Sequence, residues 1–227
     1  MNYQDKMNNF EVYDEQASLK MAFLQKVYIT FLFSLLVAAG GAIIGLRPAF
    51  LKFAFYHSTI LFIITIIALF GAYACRKMPG INIIALFAFT FLSGMSLSPI
   101  IALYLTAGKG MLIHQALILT GVTFSGLSLY VFITKQDFSF LGGFLFMGIF
   151  ALIGTSLVFM IFGGSSGAYT IYCAFGALLF CGFILYDTSK LLREWRGNDY
   201  VGFAIQLYLD FLNLFLFILR ILGGSRD

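Results

Sequence analysis

Asp210 sits in the middle of "IQLYLDFLNLFLFILR" (residues 205–220), and Asp187 sits in "FILYDTSKLLREW" (residues 183–195). An ionisable side chain in so apolar a run costs a few kcal/mol or more, so its presence calls for a function or a partner. Two carboxylates brought close together cannot both ionise cheaply, and such a pair tends to share a proton. The chemistry open to it is sensing of pH near neutrality, or binding of a hard cation through oxygen ligands once the proton leaves. The alternative is that each Asp hydrogen-bonds a local group and serves only to hold helices together. Asp187, nearer charged residues, could instead mark an early end of its apolar segment.

The pair forms only if both segments are membrane helices lying side by side. The chain has 227 residues, 61% of them hydrophobic and 11% charged, and a mean hydropathy of +0.95. Soluble domains carry about a quarter charged residues, so this is a polytopic membrane protein of the all-α class. About 20 apolar residues cross the hydrocarbon core, and seven segments qualify, near 24–46, 53–75, 81–106, 110–134, 138–162, 168–192 and 200–221. They leave a polar N-terminal tail over 1–22, a transmembrane domain over 23–222 and a short tail over 223–227. The net charge of +4 is expected to reflect cytoplasmic loops rather than nucleic-acid binding. With the N-terminus cytoplasmic, nine Lys and Arg fall on that side and five on the other, which favours N-terminus in. Asp187 lies nine residues before Arg196 and Asp210 ten after Tyr200. At 1.5 Å per residue both are then roughly 13–15 Å deep, near the bilayer midplane on antiparallel neighbours.

Other polar residues are candidates for supporting roles. Arg76 and Lys77 close the second segment in "GAYACRKMPG"; a long Arg could reach inward to a carboxylate, or both could be interfacial anchors. Ser93, Ser96 and Ser98 in "SGMSLSP" could bond across helices, and Gly94 allows close packing. Asn213, three residues after Asp210, is on the same helical face and is a candidate hydrogen-bond partner for it. Pro99 is expected to kink the third segment. His57 and His114 read as interfacial residues, as does Trp195 between Arg193 and Arg196. Cys75, Cys173 and Cys181 have no pairing or metal spacing and read as small apolar residues. Gly121, Gly126, Gly142, Gly143 and Gly148 read as helix-packing residues.

"FLSGMSLSPI" in the third segment, "ILYDTSKLL" in the sixth and "QLYLDFLNLF" in the seventh together resemble the Bax inhibitor-1, or transmembrane Bax inhibitor motif, family, most closely its bacterial YccA-like members. The resemblance covers all seven segments. It implies six helices around a central, hydrophobic seventh. It implies a calcium leak that responds to pH, with Asp187 and Asp210 as sensor and tentative calcium path, and Arg76 as a latch to the helix-six aspartate. Ser93, Ser96 and Asn213 would support that unit. An acid expected within the second helix of some members is missing from "STILFIITIIALFGAYAC" (residues 58–75), which puts any cation path through it in doubt.

Calcium and protons are thus the expected transported or sensed ions, with no tightly bound cofactor. The alternative is a regulatory membrane protein that binds a membrane protease or a cell-death or stress partner without transport. A proton-coupled exchanger lacks an inverted repeat. An intramembrane aspartyl protease would need a glycine-flanked second Asp, whereas Asp210 follows the bulky "LYL"; no enzymatic activity is expected. Besides the bilayer, a monomer is favoured. The absence of any Asn-x-Ser/Thr sequence and the short tails favour a bacterial inner membrane.

Overall fold

The computed structural model describes residues 3–197 and 199–224, with side chains from Glu15 onward. All regular structure among them is helical: α1 (Tyr3–Gly45), α2 (Pro48–Tyr56), α3 (Ser58–Cys75), α4 (Ile81–Thr106), α5 (Gly110–Thr134), α6 (Gly142–Phe162), α7 (Ser166–Glu194) and α8 (Tyr200–Gly224). Seven of them are long and apolar enough to cross a membrane; the exception is α2, a short helix before α3. The backbone of α1 is helical back to Tyr3, so the polar leader continues the first span. Of the C-terminal tail placed at 223–227, residues 225–227 lie outside the described residues.

Burial separates the last helix from the rest. In α8, 67% of the best apolar window is inside the protein, against 11–33% in the other six. It packs on α1, α4, α5 and α7, and Leu207, Tyr208, Leu214 and Leu219 on it are almost fully enclosed. α8 is no more apolar than the outer helices, so its burial rather than its composition marks it as the inner one, while its neighbours turn apolar surface outward. α8 is therefore the central helix, reached from α7 through the tight turn Trp195–Gly197. That short connection makes α7 and α8 adjacent and antiparallel.

Two local devices hold the frame. α1 and α4 approach so closely that a Cβ on Gly94 would collide with the carbonyl of Ala38, and one on Gly41 with that of Phe91. Small residues that let backbones touch are the usual glue between helices in lipid. α4 runs through Pro99 as one helix. The proline cannot donate to the Met95 carbonyl, and Ser98 Oγ takes its place at 2.7 Å. The freed carbonyl is thus satisfied within the membrane, which explains how the helix survives.

Candidate functional site: a buried carboxylate pair below a charged vestibule

Asp187 on α7 and Asp210 on α8 are 7% and 4% exposed, respectively. Their carboxyl groups are close enough to interact directly. The antiparallel α7–α8 packing does this: two positions at equal depth on adjacent helices face each other. Asp210 Oδ2 is buried without a hydrogen-bond partner among the described residues. Rings seal the sides. Phe211 packs on Phe31 and Phe124 with centroids 5.9 and 5.7 Å away. Tyr208, stacked edge-on against Phe89, donates its hydroxyl to Ser93 Oγ at 3.0 Å and so ties α8 to α4.

Seven helix ends meet at the same face of the bundle, which carries Lys20, Lys26, Arg76, Lys77, Lys135, Lys190, Arg193 and Arg196. We call it the basic end. A cavity of about 490 Å³ opens there between α3, α7 and α8, lined by Arg76, Lys190, Glu194, Asp199 and Gln206 among others. Asp199 caps α8: its Oδ1 accepts from the Gly202 N–H at 3.0 Å, the usual role of Asp before a helix. Its other oxygen accepts from Arg76 Nε at 2.8 Å, so one residue starts α8 and fastens α3 to it. Lys26 Nζ sits 3.8 Å above the Tyr200 ring, and Asn82 Nδ2 donates to Tyr200 Oη at 3.3 Å. These contacts bring α1 and α4 to the same point.

Gln206 connects the cavity to the pair. It lines the cavity, its Oε1 is buried without a partner among the described residues, and it precedes Asp210 by one turn on the same helical face. Lys190 and Glu194, which also line the cavity, act electrostatically on Asp187. Polar side chains thus run from the basic end to Gln206, one helical turn from Asp210. Calcium takes six to eight oxygens. Two carboxylates and one amide oxygen cannot supply them all, and no group of three or more His, Cys, Asp or Glu occurs among the described residues. Water would have to complete the shell, which suits an ion in passage better than one in residence.

The family described as "Inhibitor of apoptosis-promoting Bax1" matches residues 20–227. The chain belongs to the Bax inhibitor-1 family. It is 36% identical to the protein named Bax inhibitor 1 of Schizosaccharomyces pombe, over 92% of this chain and 79% of that one. It is 34% identical to an uncharacterized protein of Helicobacter pylori strain J99, over 98% and 97% of the two chains. It is 32% identical to Protein LIFEGUARD 3 of Arabidopsis thaliana, over 93% and 88%.

In this family member the residues singled out from the sequence do not all converge. Asp187 and Asp210 come together. Arg76 does not reach Asp187: it bonds Asp199, while its guanidinium covers the Tyr73 ring at 4.0 Å and Nη1 donates to the Tyr73 carbonyl. The latch to the helix-six aspartate is thus absent here, and an ion pair to the start of α8 stands instead. Ser93 serves Tyr208, and Ser96 meets Thr65 Oγ1 at 2.8 Å across α3 and α4. Asn213 donates to the carbonyl of Leu209 and lines a separate cavity with Arg220. It bonds within its own helix, not to Asp210. Asp199, Gln206 and Asn82 were not singled out. "ND" before an apolar run carries the helix-start signal that would have flagged Asp199, but nothing local announces a partner 123 residues away.

Proposed function

We propose that the protein is a pH-sensitive calcium leak in a bacterial inner membrane, with the basic end and the N-terminus in the cytoplasm. The observation that carries this reading is that Asp187 and Asp210 lie buried together on α7 and α8, near a cavity that opens at the basic end. Two facing carboxylates ionise in coupled steps, so the charge at the base of the cavity changes with pH. Each added negative charge favours entry of a hydrated cation and repels the other carboxylate, and the repulsion acts on the α7–α8 contact. The gate is then a packed helix pair biased by local charge. The cytoplasmic assignment of the basic end rests on the excess of Lys and Arg there.

Calcium entry into liposomes holding the purified protein, from pH 6 to 8, tests the reading, with Asp210→Asn beside wild type. The expected result is a wild-type flux that varies with pH and a variant flux that does not. A wild type passing no calcium at any of these pH values refutes the leak. A role in binding a membrane protease or another membrane protein then takes its place.

A further inference from the structure

A second polar-to-apolar path lies on the other flank of the bundle, between α1 and α5. At the basic end a cavity of about 410 Å³ is lined by Lys20, Lys135, Arg193 and Phe132. Deeper along the same two helices, a cavity of about 500 Å³ is lined by Tyr28, Phe31, Leu35, Phe124, Ser128 and the shared Phe132. The two meet at Phe132 and lie end to end along α1 and α5, a charged mouth above an apolar floor.

The mouth is electrically unbalanced. Arg193 pairs with Asp137 at 2.8 Å, while Lys20 and Lys135 make no ion pair among the described residues. Among the described residues, three cations therefore meet one anion at this mouth. Lys20 precedes Tyr28 by eight residues and Ser128 precedes Lys135 by seven. At 1.5 Å per residue the floor is about 10–12 Å below the mouth, the distance from headgroup to upper hydrocarbon. On the floor, Tyr28 Oη is buried without a hydrogen-bond partner among the described residues. Ser128 and Thr188 are its polar neighbours, and they face each other at 3.5 Å. Gly121, which also lines the floor, has open space where its Cβ would point.

A ligand for this crevice needs a negative head, a hydrogen-bond acceptor below it and a long apolar tail. We infer that the α1–α5 crevice is a binding site for an anionic phospholipid of the leaflet at the basic end. Its phosphate lies between Lys20 and Lys135, an ester carbonyl accepts from Tyr28, and an acyl chain runs along Phe31, Leu35 and Phe124. Basic pockets between membrane helices are suited to such headgroups. The crevice shares Phe31, Phe124 and Phe211 with the wall beside the carboxylate pair, but lipid binding there does not require an ion path through Asp187 and Asp210.

Native mass spectrometry of the full-length protein, offered equimolar phosphatidylglycerol and phosphatidylcholine in detergent, tests this. Wild type is expected to retain phosphatidylglycerol preferentially. Lys20→Ala and Lys135→Ala should each weaken that retention about fivefold, the worth of one basic residue beside an anionic headgroup, and leave phosphatidylcholine unchanged. Lys77→Ala, an exposed change at the same end but outside the crevice, should keep the preference. Gly121→Leu should expel lipid of either kind, because its side chain enters open space on the floor without disturbing the helix. The inference is overturned if the double Lys20→Ala, Lys135→Ala variant keeps the wild-type preference. It is also overturned if Lys77→Ala lowers the preference as much as the crevice lysines do, or if Gly121→Leu retains both lipids.

Discussion

Replacing Arg76 with Ala removes the ion pair that fastens α3 to the first turn of α8. The pair is short, 2.8 Å, but its two side chains are 28% and 23% exposed, so water screens it. Partly exposed pairs of this kind contribute about 0.2–1 kcal/mol, and 1 kcal/mol is about a fivefold change in an equilibrium between two states. The other side-chain contacts of Arg76, to Tyr73, stay at the end of α3, and its carbonyl, which accepts from Asn82 Nδ2, is kept by alanine. Under the leak reading, Arg76→Ala should therefore raise the basal calcium leak by up to about fivefold, and not by orders of magnitude. Asp199→Asn is the cleaner partner variant. It deletes the charge but keeps an N-cap oxygen for Gly202, since Asn caps as well as Asp. It should raise the leak to a similar degree, and the double variant should leak little more than either single one, because both remove one shared contact. Dye-loaded liposomes at a pH where wild type is slow give the rates. Unchanged rates in both single variants, or fully additive increases, would refute the latch.

Gly94→Ala should lower the thermal unfolding midpoint in detergent through at least about 1–3 kcal/mol of overpacking. The obstacle is the backbone carbonyl of Ala38, which cannot rotate away; a variant melting like wild type would mean that the α1–α4 approach is looser than described. Gln206→Leu should slow the leak while leaving helix content unchanged, since it removes the side-chain amide that lines the cavity one turn before Asp210. Equal flux in this variant would exclude Gln206 from the path. In the α5–α6 connection, the Ser139 N–H donates to Asp137 Oδ1 at 2.8 Å. This bond, helped by Arg193, holds the Asp137 carboxyl below its ordinary value of 3.8. A lowered carboxylate value stabilises the fold above the unfolded-state value and loses that effect as pH falls through the folded one. Wild type should therefore unfold at a higher temperature than Asp137→Asn at pH 6, and the two midpoints should converge in acid; a gap independent of pH would contradict the assignment.

Much of this architecture was legible because lipid imposes length and hydropathy on every span. The seven spans follow from apolar runs, whereas the inner position of the last one was implied only by the family resemblance, because its run is no more apolar than those of the outer helices. The meeting of Asp187 and Asp210 was legible too, because a short turn forces neighbouring helices and equal spacing from that turn sets equal depth. Other features were not legible, for definite reasons. The Arg76 partner depends on which residue of the α7–α8 turn faces α3, and that is set by helix rotation, which apolar runs do not encode. Ser93, Ser96 and Asn213 share the depth range of the pair but point to Tyr208, to Thr65 and along the helix itself. Helical phase separates them from Asp210 more than depth does. Gly121, Gly126 and Gly143, read as packing residues, have open space before them, whereas Gly148 and Gly142 do meet Leu179 and Tyr186. A small residue signals close approach only when another helix is there to approach.

The two halves of the membrane are unequal in a way that bears on gating. From the basic end to Gln206, polar groups line a cavity. Beyond Asp210, α8 buries Phe211, Leu214, Phe215, Phe217, Ile218 and Leu219, and the polar side chains there, Asn213 and Arg220, line a separate, mostly apolar cavity with Ser156. A leak through this protein therefore needs a displacement in that outer half, not at the carboxylates alone. α3 is the helix best able to give way: only 11% of its apolar window is buried, the lowest share of the seven, and its main neighbour is α4. Segments with few buried contacts are those that open first. The Arg76–Asp199 pair fixes its basic end, and the Thr65–Ser96 hydroxyl contact fixes its middle at 2.8 Å. Charge on Asp187 and Asp210 acts on α7 and α8 directly, and on α3 through the turn that carries Asp199 and through α4, which Tyr208–Ser93 and Ser96–Thr65 join to α8 and α3. Coupling between the sensor and the outer half would then run through that turn or through α4. A pH-sensitive leak whose pH response survives Asp199→Asn unchanged would exclude the turn and leave α4.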